Sequence, residues 1–255
     1  NSVESILQIA DNSYVVSGVY DDGTESGAAY IAKFNSSGFL SWFKKWGGVN
    51  SSEKATSLIQ TSDGGYVISG ETALTFDWNT EAFIAKFTSD GTLSWDKTWG
   101  VAGYDSSKSI IQTSDSGFAI AGYSDSFGSG DGDIFIAKFT SDGTFSWDKI
   151  IGGSSEDAAS SLFQISDGGY LVAGTTSSYG AGGSDLVIAK FKSDGNINNC
   201  DPAICEDVSA TISSREYTSP ADSPAITTRS GLISWATETV TNPDFTRNTI
   251  VTLSR

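Results

Sequence analysis

The sequence has no histidine, no methionine and only two cysteines among its 255 residues. Without histidine it lacks the commonest general base and metal ligand, which excludes the hydrolase triads that depend on that residue. Proline is absent before Pro202, as expected of β-ladders in which every backbone N–H group is paired. Because the chain starts at Asn1 and has no methionine, we expect its start to have been processed or trimmed.

Basic residues are also scarce. Fifteen Lys and Arg stand against 31 Asp and Glu, which gives a net charge of −16 and a pI near 4.1. Nucleic acid is therefore excluded as a partner, because phosphate binding needs clustered basic side chains. No apolar run approaches the roughly 18 residues that a membrane helix needs. An acidic protein rich in Ser, Thr and Gly is typical of export, so we expect an extracellular or cell-surface location.

What the chain does contain is one unit in four copies. The clearest copy covers residues 105–153, and the corresponding glutamines Gln8, Gln60, Gln112 and Gln164 are spaced 52 residues apart. A fixed period of this length indicates a repeat architecture. The copies are assigned to residues 1–50, 51–102, 103–154 and 155–198, and a tail with a Cys-bracketed turn covers residues 199–255.

Each copy contains four extended segments joined by tight turns. In the second copy, residues 57–61 and 66–69 predict the two inner strands, residues 83–87 the third, and the alternating residues 93–99 the fourth. Ser-Asp-Gly turns separate them, with glycine supplying a positive φ. These features predict an all-β fold, a β-propeller with one four-stranded blade per repeat. A parallel β-helix is the alternative.

Two kinds of charged residue recur at fixed positions of the repeat. We expect the acid four residues ahead of the first inner strand to hold the turn between blades, since catalysis seldom needs one group copied around a ring. We expect the lysine of each Ile-Ala-Lys-Phe word to lie along an aromatic surface and reach water or a nearby Asp. The acids are Glu53, Asp105 and Asp157, and the lysines are Lys33, Lys86, Lys138 and Lys190.

The composition changes after Gly195, which predicts a module boundary. All eleven lysines lie at or before Lys192, whereas all four arginines and all four prolines follow it. The Ser/Thr-rich tail keeps short apolar alternations that predict docking strands. The residues expected to make this assembly contact are Gly231, Leu232, Ile233, Trp235, Ile250 and Leu253.

One tail segment repeats a motif of the blades. Residues 231–235 match the outer-strand motif at 38–42, 91–95 and 143–147, whereas the fourth repeat has only residues 195–198 at that place. The tail then completes its own ring, as a fourth strand or a degenerate fifth blade, or adds a strand to a neighbouring subunit. A chance match over five residues is the alternative.

Cys200 and Cys205 lie in Cys-Asp-Pro-Ala-Ile-Cys, where Pro202 favours a turn that brings them within disulfide reach. A disulfide would agree with an oxidising compartment, and free thiols are the alternative. Two thiols do not make a zinc site, which needs four ligands.

The repeat resembles the secreted bacterial and archaeal β-propeller repeats built around Trp-Gly-Gly, Ser-Ile-Ile-Gln-Thr-Ser-Asp-Gly-Gly-Tyr and Asp-x-x-Ile-Ala-Lys-Phe. Here these words are residues 46–48, 57–66 and 133–139, and the resemblance covers residues 1 to about 198. It implies the propeller fold and an extracellular or surface setting. Four repeats are fewer than most such rings carry, and the tail departs from the family pattern.

Few motifs that carry chemistry are present, and none predicts a cofactor. A glycosidase needs only two carboxylates, for which Asp77, Glu81, Asp131 and Asp133 in the variable loops are the candidates. The loop carrying Asp125, Asp131 and Asp133 is a weak calcium candidate, against a plain solvated loop. Asn35 and Asn50 begin glycosylation sequons.

These features favour a non-enzymatic extracellular structural protein, a filament or surface-layer component. Its tail is expected to dock on a neighbouring subunit, which makes the chain its own partner. The alternative is a cell-surface adhesin or carbohydrate-binding propeller that stacks sugars on Trp78 and Tyr104. A glycosidase is the third hypothesis.

Overall fold

The computed structural model describes residues 1–21, 23, 27–48, 51–74, 79–128, 130–180, 183–197 and 205–206. All of them belong to one compact unit within Asn1–Ser219. This part of the chain contains sixteen β-strands and no helix. Accordingly, no membrane-spanning helix is found among the described residues.

The strands follow the repeats. Blade 1 contains β1 (Ser2–Gln8), β2 (Tyr14–Tyr20), β3 (Ala28–Phe34) and β4 (Leu40–Trp46). Blade 2 contains β5 (Ser51–Gln60), β6 (Tyr66–Leu74), β7 (Thr80–Phe87) and β8 (Leu93–Trp99). Blade 3 contains β9 (Asp105–Gln112), β10 (Phe118–Ser124), β11 (Asp133–Phe139) and β12 (Phe145–Ile151). Blade 4 contains β13 (Asp157–Gln164), β14 (Tyr170–Thr176) and β15 (Asp185–Phe191), and a short strand β16 (Cys205–Glu206) follows.

Each blade is an antiparallel meander in which sequential strands pair. Blades 1 and 2 have four strands in the order of the chain, and blade 3 has its four strands with β16 added outside β12. Blade 4 has three strands among the described residues. The prediction of an all-β propeller with four repeats is confirmed.

The second strand of each blade carries a glycine that lets the first and second strands come close together. Each first strand carries a β-bulge beside this glycine. A Cβ on Gly70 would lie 1.8 Å from the carbonyl oxygen of Lys54, and a Cβ on Gly122 would lie 1.9 Å from that of Ser106. Any side chain there would push the strands apart, which explains why the repeat has glycine at this position.

Neighbouring blades share hydrophobic cores, one at each of three junctions. The tryptophan that ends an outer strand stacks on the third strand of the next blade, as Trp46 does on Phe83 at 4.0 Å and Trp99 on Phe135 at 4.1 Å. The indole N–H of Trp99 also donates to Asp148 at 2.9 Å. The junctions after blades 1 and 2 therefore combine apolar burial with a stacked ring pair, whereas β12 of blade 3 ends at Ile151.

Polar contacts repeat with the same period. In all four blades the Ile-Ala-Lys-Phe lysine pairs with the Asp of the first hairpin turn, at 2.5 to 3.3 Å. Lys86 also lies over the ring of Phe118. These contacts confirm the expected Asp partner for all four lysines and the expected aromatic surface for Lys86.

Candidate functional site

Most of the acidic residues singled out from the sequence lie at or near the start of a strand. The recurring acids Glu53, Asp105 and Asp157 are buried where one blade passes to the next. Asp157 accepts hydrogen bonds from the N–H of Gly153 at 2.9 Å and the hydroxyl of Ser178 at 2.6 Å. The expectation that these acids hold the inter-blade turn is confirmed.

Asp105 shows what this burial does to a carboxyl group. Its side chain is fully buried and accepts a hydrogen bond from the hydroxyl of Ser126. Burial raises the pKa of Asp105 to about 6, since removing the carboxylate from water disfavours the charged form more than the hydrogen bonds favour it. A raised pKa in a cleft often marks a catalytic acid, but here the group closes a structural turn that the other blades also contain.

The glycosidase and calcium candidates are only partly placed as predicted. Glu81 and Asp133 were expected in loops, but they belong to strands β7 and β11, and Asp133 is buried. The carboxylate of Asp133 occupies space left by two glycines, Gly128 and Gly152. A Cβ on Gly128 would lie 1.8 Å from a carboxylate oxygen of Asp133, and one on Gly152 would lie 1.5 Å from the other.

The remaining acids do not complete a cluster. Asp125 and Asp131 are exposed, and Asp125 accepts a hydrogen bond from the backbone N–H of Tyr104. Within the described ranges, no three Asp, Glu, His or Cys side chains are arranged to hold a metal ion. Asp77 lies outside the described residues. The calcium and glycosidase hypotheses stay predictions.

Of the two aromatic residues proposed to stack on sugars, Tyr104 is described and Trp78 is not. Tyr104 is 38 % exposed, and its hydroxyl donates to Glu71 at 2.6 Å. Burial and this carboxylate raise the pKa of Tyr104 above its ordinary value. Its ring also lies 5.9 Å from that of Tyr123. The residue is thus tied into a polar contact at the junction of blades 2 and 3.

Blade 4 exposes apolar residues whose counterparts in the other blades are buried or partly buried. Leu186 is 77 % exposed, Ile188 64 % and Phe163 64 %. The counterparts of Leu186 and Ile188 are Ala29 and Ile31 in blade 1, Ala82 and Ile84 in blade 2, and Ile134 and Ile136 in blade 3. Each of these is at most 1 % exposed, because the following blade covers it. We call Phe163, Leu186 and Ile188 the blade-4 open face.

The outward face of blade 1 is covered by the blade itself. Phe43 on the outer strand stacks on Tyr30 with ring centroids 5.4 Å apart, and it meets Tyr20 edge-on at 5.2 Å. Val16 and Ala32 complete this small cluster and are buried. Blades 2 and 3 have Asp96 and Asp148 in the place of Phe43, where they accept the indole N–H of the preceding blade.

Blade 4 also lacks an outer strand among the described residues. After β15 the chain makes the same tight turn as in the other blades, with the N–H of Gly195 donating to the backbone carbonyl oxygen of Lys192. It then pairs at β16 with the outer strand of blade 3, with Cys205 opposite Ile151 and Glu206 opposite Ile150. The outer edge of β15 is therefore not taken by these residues. We call it the β15 edge.

Several residues named from the sequence lie outside the described part of the chain. Asn50 and Cys200 are among them, as are all six assembly candidates of the tail, Gly231, Leu232, Ile233, Trp235, Ile250 and Leu253. Cys205 is described only as backbone, so the disulfide and free thiols both stay open. Asn35 is exposed in a turn, where its side chain accepts hydrogen bonds from the N–H groups of Ser37 and Phe39.

Sequence reasoning missed the role of Phe43. The signal was present, because Phe43 aligns with Asp96 and Asp148 in a repeat that is otherwise closely kept. An apolar residue at an outer-strand position that is acidic in its neighbours indicates a blade that does not receive a tryptophan from a preceding blade.

Comparison with known protein families supports the repeat assignment. Residues 61–93 and 165–199 match the family described as "Domain of unknown function (DUF5122) beta-propeller". The two matched stretches occupy corresponding parts of blades 2 and 4. The chain is thus similar to a β-propeller family whose description names no activity. No curated protein matches the chain.

Proposed function

We propose that this chain is a non-enzymatic structural protein of the cell exterior that assembles with copies of itself. In this proposal the tail of one copy docks on blade 4 of the next and so builds a filament or surface layer. The observation that carries it is the blade-4 open face, where Leu186 and Ile188 are 77 % and 64 % exposed. The residues that correspond to Leu186 and Ile188 in blades 1, 2 and 3 are buried under the following blade.

The energetic argument favours a partner for this face. Burying one Leu or Ile side chain stabilises a contact by about 1.5–3 kcal/mol, so covering Leu186 and Ile188 supplies several kcal/mol towards association. Contiguous apolar residues on a surface that is otherwise polar typically mark interaction sites. Phe163 extends the patch on the first strand of the same blade.

The acidic residues support a structural role rather than catalysis. Glu53, Asp105 and Asp157 are buried at successive blade connections, and the turn acids pair with the lysines. The exterior location is supported by the acidic, Ser/Thr-rich composition and by the resemblance to secreted repeats.

Truncation tests the proposal directly. Deleting residues 207–255 should abolish assembly, seen by light scattering and negative-stain electron microscopy, while circular dichroism still reports a folded β protein. The deletion leaves β16 and all four described blades in place. A truncated protein that assembles like the full chain would contradict the proposal.

A point variant tests the docking surface. Leu186→Glu places a charge in the blade-4 open face and should weaken assembly at least tenfold in critical concentration. The matched control is Ser193→Glu, which adds the same charge at an exposed turn of the same blade. Equal effects of the two variants would show that charge, and not the apolar face, controls assembly.

A further inference from the structure

We propose that residues 231–235 dock on the β15 edge as the outer strand of blade 4, with Trp235 opposite Lys190 and Ile233 opposite Phe191. The proposal rests on the proposed function for a tail that docks, and it adds the docking site and the register. The strand runs antiparallel to β15, as outer strands do in the other blades.

The register comes from three described blades that agree with one another. In each of these blades the tryptophan of the Gly-x-x-Ser-Trp motif lies opposite the lysine of Ile-Ala-Lys-Phe. A β-bulge separates this pair from the pair that contains the following phenylalanine. The pairs are Lys33 with Trp42, Lys86 with Trp95 and Lys138 with Trp147, followed by Phe34 with Leu40, Phe87 with Leu93 and Phe139 with Phe145. Residues 231–235 carry the same motif, so the equivalent partners on β15 are Lys190 and Phe191.

The lysine at the β15 edge is more exposed than its counterparts in the other three blades. The Lys190 side chain is 61 % exposed, although it still pairs with Asp167 at 2.9 Å. The corresponding side chains of Lys33, Lys86 and Lys138 are 19 %, 15 % and 5 % exposed, and each has a tryptophan across the ladder. Lys190 lies on the same face of β15 as Leu186 and Ile188. Among the described residues this lysine has neither a tryptophan across the ladder nor a following blade over it, and both differences expose it.

The edge itself favours a strand as its occupant. An edge strand presents a row of backbone N–H and C=O groups that pair with another extended segment. Within residues 183–197 and 205–206, none pairs with this edge, because β16 pairs with blade 3 instead. The segment between Glu206 and Gly231 reaches up to roughly 80 Å when extended at about 3.3 Å per residue. That length permits docking on the same chain or on another copy.

Cysteine cross-linking tests the register. If the tail strand continues with the pairing seen in the other blades, Ala236 lies opposite Ala189 and Thr237 lies opposite Ile188. Adjacent pairs of an antiparallel ladder alternate between wide and close Cα spacing, so one of the two suits a disulfide. The variants are Ala189→Cys with Ala236→Cys, and Ile188→Cys with Thr237→Cys, oxidised in full-length protein and mapped by mass spectrometry of the joined peptides.

The control pairs Ala173→Cys with Ala236→Cys. Ala173 lies on β14, which is paired with β13 on one side and β15 on the other, so an added strand cannot reach it. Ile188 is exposed and alanine is close to cysteine in size, so the variants should fold, and circular dichroism checks this. Most of the protein should become cross-linked in one test pair and less than a tenth of it in the control.

The outcome separates this proposal from the assembly proposal. Cross-links between two chains support both. Cross-links within one chain support the docking site and contradict assembly through the tail. If neither test pair cross-links more than the control in folded protein, the docking site and register are wrong, whatever the state of assembly.

Discussion

Blades 1 and 4, at the two ends of the series, differ in whether their outward apolar face is covered. Blade 1 covers its outward face with its own Phe43, which stacks on Tyr30 at 5.4 Å. Blade 4 leaves Leu186 and Ile188 uncovered on a face that is buried in every other blade. The first three strands of the two blades are alike in order and in the position of the bulge.

The difference indicates that the stacking of blades stops at blade 1 and can continue beyond blade 4. In repeat proteins, terminal repeats hide the face that internal repeats would stack, so a terminal repeat with an uncovered apolar face indicates a further partner. Blade 1 hides its outward apolar face, as a terminal repeat does, whereas blade 4 leaves its apolar face uncovered. The three predictions below test this contrast between blades.

The largest expected effect on stability compares the isoleucines at corresponding positions of blades 3 and 4. Ile136→Ala removes a fully buried side chain at the junction of blades 3 and 4 and should cost about 3 kcal/mol in the free energy of unfolding. Ile188→Ala removes its 64 % exposed counterpart and should cost less than about 0.5 kcal/mol. Urea unfolding of both variants at one low protein concentration measures the difference. Similar costs would mean that blade 4 is already covered within the monomer.

A smaller effect is expected from removing the cover of blade 1. Phe43→Asp introduces the residue that blades 2 and 3 carry at this position, and it should destabilise the protein by about 2 kcal/mol through loss of the Tyr30 and Tyr20 contacts. The control Phe163→Asp alters an exposed phenylalanine of blade 4 and should cost less than about 0.5 kcal/mol. Thermal unfolding compares them, and an equally small loss for Phe43→Asp would remove the distinction between the two ends.

The smallest effect concerns the lysine–aspartate pairs. Burial raises the pKa of Asp115, but hydrogen bonds from Thr113 and Lys138 outweigh it and lower the pKa to about 2. The charged form therefore adds stability that is complete above the ordinary pKa near 4 and is lost as the pH falls through about 2. Because Asp115 is largely exposed, solvent screening reduces this to about 0.5–1 kcal/mol.

Asp115→Asn should accordingly destabilise the protein at pH 7 and have little effect at pH 2. Asp167→Asn in blade 4 should have a weaker pH-dependent effect, since Lys190 is 61 % exposed whereas Lys138 is 5 % exposed. Urea unfolding at both pH values gives the comparison. An equal pH dependence in the two blades would show that burial of the lysine does not strengthen the pair.

The sequence predicts the repeating part of the fold well because its signals are local and periodic. The 52-residue spacing, the Asp-Gly turns and the alternating outer strands all specify hairpins, and the recurring acids and lysines occur where the repeat implies. The missing Gly-x-x-Ser-Trp motif after Gly195 likewise indicates that blade 4 is incomplete.

The parts that sequence reasoning missed depend on contacts between distant residues. The cover that Phe43 forms over Tyr30 requires knowing that β3 and β4 bring the two rings together. The two-residue strand β16 has no period to detect, and its pairing with β12 links residues about 55 positions apart. Asp133 was expected in a variable inter-strand loop, and its burial depends on space left by two glycines, of which Gly152 lies in another connection.

Hydrogen exchange along β15 is the most direct test of the claim that the tail docks on the β15 edge of blade 4. The full chain, at a concentration where it assembles, should protect the backbone N–H groups of residues 186–191 that point away from β14. Deleting residues 207–255 should make these groups exchange at least a hundredfold faster, while strand β11 of blade 3 exchanges equally slowly in both proteins. If the same groups of β15 exchange at equal rates in the full and shortened chains, the tail does not occupy the β15 edge.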